Sequence, residues 1–358
     1  MKKIIVVGAG NIGSTIADML AETGDYEVVV CDRDSAQVDA VPRHPAISAR
    51  TVDIEDAPAL QALLADGFAV LSAAPFHLTT RIAEAAAATG AHYLDLTEDV
   101  ASTRRVKELA ADARSAFIPQ CGLAPGYISI LAHDLAGRFD SLDAIRLRVG
   151  ALPQYPSNAL GYNLTWSPDG VINEYIEPCE AIADGRPIQT PAMEEREEFA
   201  IDGVTYEAFN TSGGLGSLCE TYAGQVRTLN YKTIRYPGHA ALMKVLLNDL
   251  NLRNRRDVLK DVLQKALPAT GQDVVVVFVT ATGLRDGRLV QQTQAQKIYS
   301  GLVAGAPRSA IQITTAAGIC AVLDLLATGV LPQSGFVRQE DVPFDAFIGN
   351  RFGRRYAA

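Results

Sequence analysis

The chain has 358 residues and a mass of 38.2 kDa, more than a single hydrophobic core usually serves, so two domains are expected. Hydrophobic residues make up 48% and charged residues 20% of it, which excludes a mainly disordered chain. A count of 32 basic against 41 acidic residues, net charge −9, excludes non-specific nucleic-acid binding, which runs on a basic surface.

The first 120 residues alternate strand and helix patterns. Residues 4–7 form a continuous β-branched run, the signature of a central parallel strand, and a helix is expected over 11–22. The apolar run before the first glycine is only four residues long, too short for a signal peptide. Further strands are expected at 26–31, 47–52, 68–74, 92–96 and 116–119, with helices at 57–64, 78–88 and 100–114. This spacing reads as βαβ units and a doubly wound parallel sheet. After Gly126 the pattern changes. A helix over 127–139 leads into the alternating strand 145–149, whose alternation predicts one wet face. Strands are expected at 163–167, 197–201, 205–209, 228–236 and 274–280, hairpin turns at Asp184-Gly185 and Asp202-Gly203, and helices at 240–252 and 258–267. The apolar stretch 309–331 holds Gln312, Asp324 and three threonines, which predicts a buried helix and no membrane span. The fold class read from this is α/β: a Rossmann domain over 1–125, a second α/β domain with a mixed sheet over 126–305, and a C-terminal helix and tail over 306–358 that can pack back on the first domain. The cysteines Cys31, Cys121, Cys179, Cys219 and Cys320 are scattered and odd in number. They fit a reducing cytoplasm better than a disulfide framework or a zinc site, and no metal is expected.

The chemistry concentrates in three places. Gly8-Ala9-Gly10-Asn11-Ile12-Gly13 closes one strand, opens a helix, and is followed 19 residues after Gly13 by Asp32 at the end of the next strand. In that context Gly8 permits the tight turn, Gly10 lets backbone amides approach a pyrophosphate, Gly13 allows close helix packing, and Asp32 accepts the ribose hydroxyls. The expected cofactor is NAD, because a carboxylate repels a 2′-phosphate; NADP stays open through Arg33, which reads either as a phosphate partner or as a solvated charge. Asp53 and Ile54 would lie near the adenine, with a helix cap by Asp53 or Asp56 as the other reading. The small residues Ala73, Ala74 and Pro75 end the fourth strand and leave room for the cofactor's second half. The turn at 121–127 should border the nicotinamide, with Leu123 and Pro125 against it, while Cys121 reads as a buried thiol. In the third place, Lys232 and Arg235 fall on opposite faces of one strand and His239 opens the following helix. Arginine suits a substrate carboxylate and histidine suits proton transfer.

Taken together these residues resemble the saccharopine dehydrogenase family, most closely its lysine 6-dehydrogenase branch. The resemblance is carried by GAGNIG, by GLAPGYISIL at 122–131, VGALPQYP at 149–156, YNLTWSPDGVINEY at 162–175, EAFNTSGGLGSL at 207–218 and YKTIRYPGH at 231–239. It implies a Rossmann domain, a mixed substrate domain behind a cleft, a nicotinamide cofactor, an amino-acid substrate and a homodimer. In such an enzyme His239 is the candidate base, Arg235 the candidate partner of the α-carboxylate, and Thr211 and Tyr162 pocket hydrogen-bonders, with Lys232 as an alternative base or carboxylate partner. The expected reaction is oxidation of the terminal C–N bond of L-lysine. Two alternatives stand beside it: a saccharopine reductase or related opine-type enzyme, and a non-catalytic dinucleotide sensor. Only Arg186, Arg196 and Arg227 lie between Leu152 and Thr228, few for the three carboxylates of saccharopine.

Overall fold

The computed structural model describes residues 1–357. They divide into two compact units, one of residues 1–130, 302–308 and 312 onward, the other of 131–301 and 309–311.

The first unit contains β1 (Lys2–Val7), α1 (Asn11–Ala21), β2 (Tyr26–Asp32), α2 (Ser35–Asp39), β3 (Ile47–Thr51), α3 (Ala57–Leu64), β4 (Ala69–Ser72), α4 (Thr79–Thr89), β5 (His92–Asp95), α5 (Val100–Ala110), β6 (Ala116–Ile118) and the start of α6 (Tyr127–Ala136). Its sheet runs β6-β5-β4-β1-β2-β3, and the late strand Gly335–Phe336 adds to β6. All pairs are parallel. The strand order reverses between β1 and β4, which makes the carboxyl edge beside β1 the natural ligand crevice of a doubly wound sheet. Ile5 and Val7 of the buried run share one core with the apolar faces of α3 and α4. Helix starts are set locally: Asp56 accepts from Ala59 N–H at 3.1 Å and Asp99 from Ser102 N–H at 2.7 Å. Asp56, not Asp53, is the cap of α3. The C-terminal residues are tied to this unit by long-range polar contacts, Tyr26 donating to Asp324 at 2.5 Å and Arg351 to Asp25 at 2.6 Å. The helix Ala310–Ala327 is long and apolar enough to cross a membrane, and most of it is buried in the fold.

The second unit contains β7 (Ser141–Pro153), α7 (Pro168–Ile176), β8 (Cys179–Ala183), β9 (Arg186–Thr190), β10 (Glu197–Ile201), β11 (Val204–Asn210), α8 (Leu218–Tyr222), β12 (Thr228–Arg235), α9 (His239–Lys244), α10 (Arg256–Ala266), β13 (Asp273–Arg285) and β14 (Arg288–Tyr299). Its sheet is eight-stranded and mixed, β10-β11-β12-β7-β13-β14 with β8 and β9 joined at β12, and β7–β12 is its parallel pair. The hairpin turns Asp184-Gly185 and Asp202-Gly203 both hold positive φ at each central residue, the geometry that matches the twist of the flanking strands.

Three local expectations are corrected. Strand β7 is buried almost without a break from Ala144 onward, so it has no wet face. Its alternating arginines misled because Arg148 is itself buried, held by Glu197 and by Asn230 at 2.8 Å. Residues 163–167 form no strand. Asn163 instead donates to Pro268 O at 3.0 Å, and Ser167 caps α7. The helix expected over 240–252 stops at Lys244 and continues as a π turn, Val245–Asp249.

Candidate functional site

The glycine turn of the first unit is built by close backbone approach. Gly8 takes φ +105°, and a Cβ there would stand 2.7 Å from Ala73 O; one on Gly13 would stand 1.8 Å from Gly8 O. A Cβ on Gly10 would meet nothing within 4 Å. Gly10 is also the residue before α1 and supplies no side-chain cap, so the first amides of that helix face open space, as a phosphate cradle requires. Asn11 is exposed and Ile12 half-buried at this mouth. Asp32 fastens the turn: one carboxylate oxygen accepts Ala9 N–H at 2.9 Å and the other Asp34 N–H at 3.0 Å. A carboxylate has lone pairs to spare for ribose hydroxyls. These residues fit a dinucleotide. Arg33 is exposed and has no ion pair among the described residues. Asp53 is exposed and accepts from Glu55 N–H at 2.9 Å, and Ile54 is buried in the core shared with β1 and β2. Ala73 and Ala74 are half-buried at the β4 end, with Pro75 exposed. Leu123 and Pro125 are buried, and so is Cys121, whose thiol burial pushes well above its ordinary value.

In the second unit β12 and α9 bring Arg235 and His239 together with Tyr175 of α7. Arg235 Nε donates to Tyr175 Oη at 2.8 Å, and Tyr175 Oη lies 3.0 Å from His239 Nε2. His239 Nδ1 lies 2.9 Å from the Leu160 carbonyl. A carbonyl only accepts, so Nδ1 carries the proton, Nε2 accepts, and the tyrosine hydroxyl donates to it. The imidazole is stacked on Phe209 (8° between planes) and edge-on to Tyr162. The guanidinium sits 5.0 Å above the Tyr162 ring. Tyr162 and Thr211 are both 2% exposed, and Tyr162 Oη and Thr211 Oγ1 make no well-formed hydrogen bond. With both ring nitrogens engaged, His239 is placed to orient Tyr175 rather than to take a proton from a ligand. Lys232 is not part of this cluster. It projects from the other face of β12, where it binds the Glu195 carbonyl at 2.5 Å and Glu197 at 3.1 Å beside Arg148.

Sequence reading missed Tyr175 and Glu207. Tyr175 ends the block at 162–175 and its spacing carried no signal of contact with a strand 60 residues on. Glu207 is fully buried; its two oxygens accept Gly238 N–H at 3.0 Å and Ala240 N–H at 2.6 Å, locking the turn that carries His239.

Burial, then the charge of Arg235, holds His239 down to about 3, against an ordinary value of about 6.5. A histidine lowered on folding contributes stability that is whole above about 6.5 and is lost as pH falls toward 3. At about 1.4 kcal/mol per unit, the stability advantage of the natural protein over His239→Gln should shrink by about 2 kcal/mol between about pH 7 and about pH 5. Urea unfolding of both proteins measures it; an advantage independent of pH would contradict neutral burial of the ring.

Comparison with known proteins gives a consistent set of relatives. Residues 4–118 match the family model described as saccharopine dehydrogenase NADP binding domain, and residues 122–353 the one described as saccharopine dehydrogenase C-terminal domain. Saccharopine dehydrogenase [NADP(+), L-glutamate-forming] of Saccharomyces cerevisiae is 23% identical over 261 residues, 69% of this chain and 58% of that one. The mitochondrial alpha-aminoadipic semialdehyde synthase of Bos taurus is 23% identical over 294 residues, 78% of this chain and 31% of that one. The chain therefore spans little more than half of the first relative and under a third of the second. The solved structure of apo saccharopine dehydrogenase (L-Glu forming) from Saccharomyces cerevisiae matches with TM-score 0.77 at 18% identity, covering 97% of this chain and 96% of that one, which shows a shared fold.

Proposed function

Because the chain belongs to the saccharopine dehydrogenase family, we propose that it is a nicotinamide-dependent oxidoreductase that oxidises the ε C–N bond of L-lysine. One observation carries the choice of substrate. Three lysine or arginine side chains are buried, Arg148, Lys232 and Arg235. The first two share Glu197. Arg235 alone of the three has no carboxylate at ion-pair distance among the described residues, and its second terminal nitrogen donates to nothing there. The buried Glu174 carboxylate attracts this guanidinium without ion-pair contact, its second terminal nitrogen is left for a ligand anion, and one guanidinium serves one α-carboxylate bidentately.

In this reading Arg235 holds the carboxylate, Tyr162 supports the guanidinium from below, and Tyr175, fixed by His239, keeps its orientation. Thr211 offers an unused hydroxyl. Gly8, Gly10, Gly13, the first amides of α1 and Asp32 would hold the dinucleotide; when bound, its oxidised ring supplies the hydride acceptor. The amine must be neutral for its lone pair to form the C=N bond. Hydrolysis of the resulting iminium gives ammonium and aminoadipate semialdehyde.

The second reading is saccharopine oxidation, favoured by the names of the curated relatives. Purified protein given L-lysine or saccharopine, each with NAD+ or NADP+, and followed by the absorbance of the reduced nicotinamide, separates the two. Lysine with NAD+ is the expected pair. Turnover of saccharopine alone would select the second reading, and no reduction with any amine would sink the oxidoreductase.

The charge of Asp32 sets the cofactor expectation. With its carboxylate held at the turn, kcat/KM for NAD+ should exceed that for NADP+ by about tenfold, the scale of a 1.4 kcal/mol repulsion. Asp32→Asn should narrow the ratio mainly by raising the NADP+ value. A natural protein that prefers NADP+ would refute this role.

A further inference from the structure

A buried guanidinium accounts for one carboxylate, but an α-amino acid carries a second charge on the same carbon. We propose that Glu174, in the last turn of α7, takes the α-ammonium of the substrate and makes the site selective for an α-amino acid over a plain ω-amino carboxylate; this rests on the reading above in which Arg235 holds the substrate carboxylate.

Both residues belong to the second unit, Glu174 6% exposed and Arg235 2%. They stand on different elements, and the backbone fixes each of them. Ser212 N–H donates to the Glu174 carbonyl at 3.0 Å, and Ser212 Oγ donates to the Pro178 carbonyl at 2.9 Å. Arg256 donates to Asn173 Oδ1 at 3.3 Å and to Glu177. These ties pin the end of α7 to the segment after β11 and to α10. The next residue, Tyr175, bonds Arg235 and His239 directly. Glu174 is thereby brought close enough for its charge to act on Arg235, Tyr162 and Tyr175, without ion-pair contact with the guanidinium. An ion pair that only steadies the fold closes to contact, as Arg148 and Lys232 do on Glu197. Two opposite charges buried near one another and held apart compensate each other's desolvation only in part. An α-amino acid completes both. Its carboxylate and ammonium share one carbon, so a site that reads the pair needs its anion beside its cation and not on it.

Two hydroxyls support the same reading. Tyr162 and Thr211 are each 2% exposed, and neither Oη nor Oγ1 makes a well-formed hydrogen bond. A buried hydroxyl left so is costly unless a ligand completes it. The Tyr162 ring carries the guanidinium, and Thr211 precedes the serine whose amide holds the Glu174 carbonyl. An ammonium has three donors, one for a carboxylate and others that hydroxyl oxygens can accept. With both charges of the α-carbon engaged, that carbon is committed to binding and the ε end of lysine is left to react.

The test compares two substrates that differ by one group, L-lysine and 6-aminohexanoate, which keeps the carboxylate and the terminal amine and lacks the α-amine. The natural full chain should favour lysine by about 100-fold in kcat/KM, the scale of one buried charged contact. Glu174→Gln keeps the shape and removes the charge. It should cut that preference to about threefold, mainly by raising KM for lysine, because the α-ammonium is remote from the reacting carbon. Any disturbance of Arg235 weighs on both substrates alike, since both carry the carboxylate, so the ratio isolates the ammonium. If the natural protein oxidises the two within about threefold of one another, or if Glu174→Gln keeps the full preference, the proposal is overturned and the reading of function stands. The first of these comparisons needs no variant, so it decides even where Glu174→Gln does not fold. If the natural protein oxidises neither substrate, both fall.

Discussion

Arg235→Met is expected to lower kcat/KM for the amino-acid substrate by about 10²–10³-fold, the equivalent of about 3–4 kcal/mol. The physical basis is that this guanidinium has no carboxylate at ion-pair distance, Glu174 attracting it only without contact. It is 2% exposed, its Nε is spent on Tyr175 and one terminal nitrogen on the Ile234 carbonyl, and no protein carboxylate neutralises it at contact distance. A charge-assisted contact to a substrate carboxylate at such a place is among the stronger recognition interactions available. Lysine should not restore activity, because an ammonium cannot hold Tyr175 and a carboxylate in the same plane. Some stability should be lost as well, because the buried Glu174 loses the attraction of the guanidinium and Tyr175 loses a donor. The thermal midpoint of Arg235→Met should therefore fall, with the protein still folded at assay temperature, while kcat/KM collapses. Turnover within about threefold of the natural protein would remove Arg235 from substrate recognition.

Gly13→Ala is the second large effect, on stability and cofactor affinity together. The added methyl would stand 1.8 Å from Gly8 O and 2.9 Å from Gly8 C. Both are backbone atoms, and Gly8 is itself pressed against Ala73, so neither side can yield by a rotamer change. Helix α1 must separate from β1, at a cost of about 3 kcal/mol, the upper part of the usual overpacking range. For a domain of this size that is about 6–12 °C in Tm. The same displacement moves the amides that would face the pyrophosphate, so the Kd for the reduced cofactor should rise at least about 30-fold, some 2 kcal/mol. Gly10→Ala provides the contrast. Its methyl enters open space, so Tm should change by no more than about 2 °C, the scale of a few tenths of a kcal/mol at a cap position, while cofactor binding is still obstructed. A Gly13→Ala protein with unchanged Tm and unchanged Kd would show that the turn is looser than its atoms imply.

The comparison of pattern with structure is most instructive where the two part. On β7, the alternation of Arg146 and Arg148 with apolar neighbours reads as a half-wet strand, yet Arg148 is buried because Glu197, on another strand, neutralises it. At 163–167 the residue types suit a strand, but the backbone makes only one bridge, Leu164↔Ala269, and strand propensity without a pairing partner yields coil. In each case a partner far along the chain decides the outcome.

What this sequence determines by itself is the part built from short-range rules. The run Ile4–Val7, the glycines at 8, 10 and 13 and the acid at 32 lie within one βαβ unit, and each is demanded by backbone geometry that a few neighbouring residues impose. Opposite faces for Lys232 and Arg235 likewise follow from the two-residue period of a strand. Only the tertiary structure decided that Tyr175, 60 residues before Arg235 and 64 before His239, joins those two in one hydrogen-bonded chain. It alone decided that Glu207 locks their turn. Hydrogen bonding, ion pairing and desolvation depend on which atoms are neighbours in space, and no periodicity along a chain encodes that.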